Sequence, residues 1–158
     1  MKMHFWRRKK RGEFTANNIN AGNGETGIVA MMENDQWASV SDFGGVAVAM
    51  GRHGRATAGG ERSVALATNY QGVAEAVEEN GVAVATGVFG AASAECVYSV
   101  AMATAPGGMV RGKFGCALIA VARMDGGIPN VAFAIVDGVS IKEDTWYTCK
   151  GGKLVEVE

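Results

Sequence analysis

Along most of the chain, blocks of five residues with small or apolar side chains at alternate positions recur every nine residues. Four of these blocks share the pattern VAxAx and begin eighteen residues apart, at Val46, Val64, Val82 and Val100. The other blocks fall midway between them, as in RATAG from Arg55. Alternation with a period of two is typical of β-strands, and the four remaining residues are enough for a turn. The pattern therefore predicts a strand and a turn every nine residues, from about residue 28 to about residue 122.

The second and fourth residues of these blocks are alanine almost throughout. The pairs are Ala47/Ala49, Ala56/Ala58, Ala65/Ala67, Ala74/Ala76, Ala83/Ala85, Ala92/Ala94 and Ala101/Ala103. Side chains two residues apart on a strand share a face, so the alanines would form continuous inner columns. We therefore expect an all-β fold: a flattened parallel β-solenoid, or two-sheet β-roll, with 18 residues per coil, about five coils and an alanine core.

Glycine marks the predicted corners between strands. Gly54, Gly72, Gly90 and Gly108 follow one another at intervals of eighteen residues. A glycine repeated at one place in every coil indicates either a positive φ angle or a close approach of the backbone to its neighbour. We expect one of these two reasons to apply at each corner.

The two sheets differ in the side chains that they direct outward. Strands of one sheet carry a mixture of polar and apolar residues, whereas the other sheet is apolar on both sides and would leave a panel of roughly 400 Å². We expect this panel to be a self-association surface, although the N-terminal or C-terminal segment of the same chain could also cover it. The residues of the predicted interface are Val46, Val48, Val64, Leu66, Val82, Val84, Val100 and Met102.

The nine-residue pattern ends after Ala122. We therefore divide the chain into a basic N-terminal arm (residues 1–18), the solenoid repeats (19–122) and a C-terminal strand and hairpin (123–158). The last part contains VAFAI from Val131, which predicts another buried strand, and a hairpin around Gly151 and Gly152. We expect this hairpin to cap the open end of the solenoid, with Trp146 and Tyr147 filling the last coil.

Composition supports this fold and limits the partners. The chain holds 25 Ala, 23 Gly and 19 Val but only 3 Leu, a profile that excludes an ordinary helical domain. Six of its 15 basic residues lie in residues 2–11, so the rest of the chain, with 9 basic and 16 acidic residues, has a net charge of −7. We expect no nucleic-acid binding except through this basic N-terminal arm, which is interpreted as a solvated terminus.

Cofactor and membrane signals are absent from the sequence. The 3 cysteines and 2 histidines have no spacing that suits a metal cluster, so neither a metal nor another cofactor is predicted. No apolar run is long enough to span a bilayer or to act as a secretion signal, and we expect a cytoplasmic protein with reduced thiols.

Candidate chemistry is limited to one cluster of cations. No nucleophile and base fall together, so catalysis is not predicted. Arg52, His53, Arg55 and Arg62 lie in or beside successive corners of one coil, where they would either bind a small anion such as a nucleotide or remain solvated turn charges.

The repeats resemble a known family of bacterial surface proteins. SVALAT (Ser63 to Thr68), GVAVAT (Gly81 to Thr86) and SVAMAT (Ser99 to Thr104) are similar to the head repeats of trimeric autotransporter adhesins. The resemblance implies a left-handed β-roll whose more apolar sheet faces a trimer axis, although the coil here is longer. We do not carry surface adhesion over, because no secretion signal, stalk or anchor segment is recognisable.

The C-terminal segment VDGVSIKEDTWYTCKGGKLVEVE, from Val136 to Glu158, resembles the tail of uncharacterised small proteins of phages and gut bacteria. This resemblance implies a phage-derived protein. Such a protein would be associated with the virion instead of lying free in the cytoplasm. The leading hypothesis is a non-enzymatic, self-associating structural or binding protein, with a trimer expected. The alternative is a phage-encoded sponge for an anionic nucleotide signal, which would act against host defence.

Overall fold

The computed structural model describes residues 27–122 and 129–157, which form fourteen β-strands and no helix. The predicted basic arm, residues 1–18, and the start of the predicted solenoid, residues 19–26, lie outside the described residues. The strands are β1 (Ile28–Met31), β2 (Trp37–Val40), β3 (Val46–Ala49), β4 (Arg55–Ala58), β5 (Val64–Ala67), β6 (Val73–Ala76), β7 (Val82–Ala85), β8 (Ala91–Ala94), β9 (Val100–Ala103), β10 (Met109–Gly112), β11 (Ala117–Ala122), β12 (Asn130–Ile135), β13 (Tyr147–Lys150) and β14 (Lys153–Glu156).

The fourteen strands form two seven-stranded sheets, and β1 to β11 alternate between them. The valine sheet has the order β1-β3-β5-β7-β9-β11-β12, and the mixed sheet has the order β14-β13-β10-β8-β6-β4-β2. Neighbouring repeat strands are parallel and in register at 18 residues, so that Val46 lies opposite Val64, and Val64 opposite Val82. The predicted flattened parallel β-solenoid, with two strands in each 18-residue coil, is confirmed.

The core between the two sheets consists of methyl groups in the middle coils. Ala65, Ala74 and Ala83 have no accessible surface, and the other inner alanines of these coils are equally buried. Larger side chains enter the core only towards the ends, with Val40 in the first coil and Leu118 near the last. Since a methyl group is the smallest apolar side chain, the two sheets can approach closely only where both contribute alanine.

Each coil turns at two corners. The first corner, which leads from the valine sheet to the mixed sheet, comprises residues 32–36, 50–54, 68–72, 86–90 and 104–108. The second corner leads back, and comprises residues 41–45, 59–63, 77–81, 95–99 and 113–116. At the first corner Gly72 N donates to Asn69 O at 3.0 Å, which closes a tight turn.

The periodic glycines of the first corner are required by close packing and not by a positive φ. A Cβ atom on Gly72 would lie 3.0 Å from Ala67 Cβ and 3.1 Å from Asn69 O. The positive φ falls one residue earlier, as at Gln71 (φ 53°) and Phe89 (φ 56°). Of the two reasons predicted for these glycines, the positive φ does not apply; at Gly72 the close contacts are with the Ala67 side chain and the carbonyl of the same turn.

Antiparallel strands end the solenoid. β12 pairs with β11 along its whole length, β13 pairs with β10 at Val110 and Tyr147, and β13 and β14 form the predicted hairpin. Tyr147 is only 3% exposed and fills the last coil as expected. The cap thus replaces the parallel ladder of each sheet by an antiparallel one.

Candidate functional site

The outward side chains of the valine sheet form three columns, of which two are apolar and the third mixes threonine with apolar residues. In the first column, Val46, Val64, Val82 and Val100 lie in direct register; in the second, Val48, Leu66, Val84 and Met102 do so. These are the eight residues of the predicted interface, and all of them are half-buried because each shields its neighbours on adjacent strands. The third column consists of Met50, Thr68, Thr86, Thr104, Val121 and Val131.

This surface, called the valine face below, continues beyond the repeats in both directions. β1 adds Ile28 and Ala30 at one end, and β11 adds Ala117 and Ile119 towards the other. None of the outward side chains on the seven strands is charged. Seven strands at a spacing of ~4.8 Å, each about 15 Å long, give a flat area of roughly 500 Å².

Strand β12 makes the far end of the valine face its most exposed part. The prediction of a buried strand at Val131 is wrong for one side of that strand. Ala132 is buried, but Val131, Phe133 and Ile135 point outward and are 53%, 81% and 57% exposed. The reason is that β12 is the outermost strand of the valine sheet, with a neighbour on one side only among the described strands.

The outer side of the mixed sheet has a different character, because its polar groups bind one another. Arg55 donates to both carboxylate oxygens of Glu75 at 2.5–3.0 Å. Trp37 Nε1 donates to Thr57 Oγ1 at 3.1 Å, and the Arg55 guanidinium lies 5.7 Å from the Trp37 ring centroid. These contacts cross three adjacent strands and tie β2, β4 and β6 together on the outside.

A second cluster of the same type lies near the C-terminal end of the mixed sheet. Arg111 donates to Glu95 Oε1 at 2.9 Å and to Ser93 Oγ at 2.9 Å, and its guanidinium lies 4.8 Å from the Trp146 ring centroid. Trp146 therefore packs on the outer surface of the sheet, and the prediction that it fills the last coil together with Tyr147 is wrong. Ser93 is buried on an outer face because these side chains cover it.

The four predicted anion-binding residues do not converge. Arg52 and His53 lie together at the first corner, whereas Arg62 lies at the second corner, beyond the whole length of β4. Arg55 points from the mixed sheet towards Glu75, and Arg62 lies 3.7 Å from Glu61 and over the Phe43 ring. Only Arg52 and His53 thus share one place, with His53 Nδ1 at 3.2 Å from Asp35 Oδ1.

Two aromatic residues outside the predicted cluster, Tyr70 and Phe89, lie at the first corner of the two coils that follow Arg52 and His53. The Arg52 guanidinium lies 5.2 Å from the Tyr70 ring centroid, and the His53 and Tyr70 ring centroids are 6.1 Å apart. Phe89 follows in the next coil, with its ring centroid 5.8 Å from that of Tyr70. The signal was present in the sequence, since Tyr70 lies 18 residues after Arg52 and Phe89 lies 36 residues after His53.

Cys96, Cys116 and Cys149 form no disulfide and belong to the second corner and the cap. Cys116 is buried, and its Sγ donates to the Cys96 carbonyl at 2.9 Å. Burial raises the pKa of the Cys116 thiol, so the reactive thiolate form is suppressed there. Within residues 27–122 and 129–157, no group of three His, Cys, Asp or Glu side chains is placed to hold a metal ion.

Comparisons with known proteins add no relative: no family model, curated protein or solved structure matches this chain. In the part of the chain that the structure describes, no helix is long and apolar enough to cross a membrane. The likeness to adhesin head repeats and to phage tails stays a prediction.

Proposed function

We propose that this chain is a structural or binding protein without catalytic activity, and that it associates with copies of itself through the valine face. The observation that carries the proposal is the contrast between the two outer surfaces. Arg–Glu pairs and tryptophans cover much of the mixed sheet, whereas the valine face runs across seven strands without a charged side chain. An apolar patch of this extent is at the upper end of what a soluble monomer exposes.

The size and shape of the valine face suit a second copy. Two such faces together would bury about 1,000 Å², which reaches the lower limit for a specific interface. A flat regular surface is also complementary to itself, which is what an isologous contact requires. The resemblance to adhesin heads implies three copies around an axis, and in that arrangement too the valine face is the contact surface.

Light scattering coupled to gel filtration tests the proposal. The wild type is expected to elute as an oligomer, and Val84→Asp as a monomer, because the charge would be buried without a partner at the centre of the contact and would weaken association at least a hundredfold. Val73→Asp is the matched control: Val73 is also half-buried on an outer face, but it belongs to the mixed sheet. This control should remain oligomeric.

Circular dichroism shows whether each variant keeps its β-structure. A wild type that is monomeric at every accessible concentration would overturn the proposal. Equal loss of association in Val84→Asp and Val73→Asp, with both variants folded, would also overturn it, since the contact would then not depend on the valine face.

A second proposal is a binder of small anionic nucleotides, in line with a phage-encoded sponge. It is supported by the first corner, where Arg52 and His53 lie beside the Tyr70 ring, since cations next to an aromatic ring can bind phosphate and base together. Mass spectrometry of small molecules carried through purification tests it, with Arg52→Ala as the variant and Arg62→Ala as the control. A protein that carries no nucleotide would overturn this second proposal.

A further inference from the structure

The middle column of the valine face changes in side-chain size from one end to the other. From β1 to β12 the residues in direct register are Ala30, Val48, Leu66, Val84, Met102, Ile119 and Phe133. The smallest side chain therefore stands at the N-terminal end and the largest at the C-terminal end, with Val84 on the fourth of seven strands.

We infer that two copies pack face to face with their solenoid axes antiparallel, related by a two-fold axis that runs along strand β7 at Val84. This inference rests on the proposed self-association and specifies its geometry. In this arrangement the order of the strands is reversed between the copies, so that β1 of one copy faces β12 of the other and β7 faces β7. Ala30 then faces Phe133 of the second copy, Val48 faces Ile119, Leu66 faces Met102, and Val84 faces Val84.

These pairings keep the combined size of the facing side chains nearly constant along the contact. Alanine has one side-chain heavy atom, valine three, leucine, isoleucine and methionine four, and phenylalanine seven. Each antiparallel pair in the middle column therefore holds between six and eight side-chain heavy atoms. Two flat sheets can then touch along all seven strands without a gap or a clash.

Parallel arrangements lack this property. In a parallel dimer, or in a trimer around an axis along the solenoid, each residue of the middle column meets its own counterpart at the same height. A facing pair would then hold two side-chain heavy atoms at Ala30 and fourteen at Phe133. The copies would splay apart at β12 and leave a gap at β1, so that only part of the valine face would be buried.

The first column is consistent with the same two-fold axis. Its residues in register are Ile28, Val46, Val64, Val82, Val100, Ala117 and Ile135. Reversal places Ile28 opposite Ile135 and Val64 opposite Val100, so the paired side chains match in size at most positions. The column is nearly symmetric about Val82, which lies on the same central strand as Val84.

A charge pair placed at opposite ends of the valine face tests the orientation. Ala30 and Phe133 are exposed and lie on β1 and β12, the outermost described strands of the valine sheet, so charged variants there should fold. They are too far apart to pair within one chain. Ala30→Asp and Phe133→Lys are each expected to weaken dimerisation about tenfold, as measured by analytical ultracentrifugation. The double variant should return to within about threefold of the wild type, because Asp and Lys then face each other twice in every dimer.

The outcomes separate the orientation from the association itself. If the two single effects multiply in the double variant, association is real but like residues face one another, and the antiparallel inference is wrong. A trimeric mass would have the same consequence. A monomeric wild type would instead overturn the proposed self-association, and the inference with it.

Discussion

Turn residues other than glycine adopt left-handed backbone conformations at both corners of the solenoid. At the first corner these include Asp35, His53, Gln71 and Phe89, spaced by eighteen residues, with φ between 53° and 58°. Such a conformation costs a residue with a Cβ atom roughly 1 kcal/mol or more. The coil accepts this cost because the amide of the same residue bonds the next coil, as Gln71 N does to Val88 O at 2.9 Å.

Replacing one of these residues by glycine should stabilise the protein. Gln71→Gly is expected to raise the free energy of unfolding by about 0.5–1 kcal/mol, since Gln71 is exposed and glycine adopts its φ of 53° without strain. Asn80→Gly, at φ 58° in the second corner, should gain less because asparagine tolerates this conformation better. Urea denaturation measures both. Gln71→Ala is the control and should change little; a gain equal to that of Gln71→Gly would contradict the explanation.

Asp137 gives the segment after β12 a defined dependence on pH. Its carboxylate accepts hydrogen bonds from the backbone amides of Ile141, Val139 and Ser140 at 2.8–2.9 Å. These bonds, that of Ile141 foremost, hold the pKa of Asp137 below its usual value. A lowered folded-state pKa stabilises the protein above the unfolded-state pKa of about 3.9, and that contribution is lost as the pH falls through the folded-state value.

Substitution of Asp137 should therefore matter at neutral pH and less in acid. Asp137→Ala is expected to lower the urea midpoint at pH 7, and the difference from the wild type should shrink as the pH falls below about 4. Asp137→Asn keeps an acceptor without the charge and should retain part of the stabilisation with no such pH dependence. A difference between Asp137→Ala and the wild type that is constant from pH 7 to pH 3 would show that the carboxylate does not contribute in this way.

At the scale of the strand and turn, the contact between neighbouring coils can be tested with a pair of glycines. A Cβ atom on Gly87 would lie 1.8 Å from Asn69 O in the preceding coil, whereas one on Gly59 would meet nothing closer than Val40 O at 3.4 Å. Gly87→Ala is expected to destabilise the protein by about 2–3 kcal/mol, because the corner must move away from the backbone below it. Gly59→Ala should cost less than about 1 kcal/mol. Thermal and urea denaturation of the two variants and the wild type measure the loss of stability. Equal losses in the two variants would mean that the corners are loosely stacked.

The sequence predicts the elements of the solenoid well because each coil repeats the same physical requirement. Alanine at inner positions and valine at outer positions recur at 18-residue spacing, and the observed registers have the same spacing. Within a turn, the sequence does not show which residue takes the positive φ, since Gln71 and Phe89 carry no preference for it. Phe133 is misjudged for a related reason, because an apolar run such as VAFAI does not reveal that its strand lies at an edge.

The sequence predicts the positions of the eight interface residues better than those of the four cations. All eight residues of the predicted interface lie on one outer surface, since alternation along a strand determines the face. The four cations do not lie together, because nearness in sequence does not distinguish a corner from the adjoining strand: Arg52 lies in a turn, and Arg55, three residues later, lies on the mixed sheet. Tyr70 and Phe89 join Arg52 only through the stacking of coils.

At the scale of the whole molecule, the ends of the solenoid determine whether its coils can also stack on those of another molecule. Each coil contacts only its neighbours, so a terminal coil with a free edge can pair with another molecule. In the mixed sheet, β13 and β14 occupy the edge beside β10, and Thr148 Oγ1 donates to Gly108 O at 2.9 Å. The hairpin therefore pairs with β10 at Val110 and Tyr147, and Val110 beside it is fully buried.

Removal of the hairpin should convert a finite assembly into an open one. Deletion of residues 142–158 exposes β10 and the core beside Val110, so end-to-end association that grows with concentration is expected. The deletion is best made together with Val84→Asp, which removes association through the valine face and leaves the end as the remaining contact. Light scattering should then show large species for the combined variant and a monomer for Val84→Asp alone. A combined variant that is folded and monomeric would mean that β10 needs no cap, and that the antiparallel hairpin does not limit assembly.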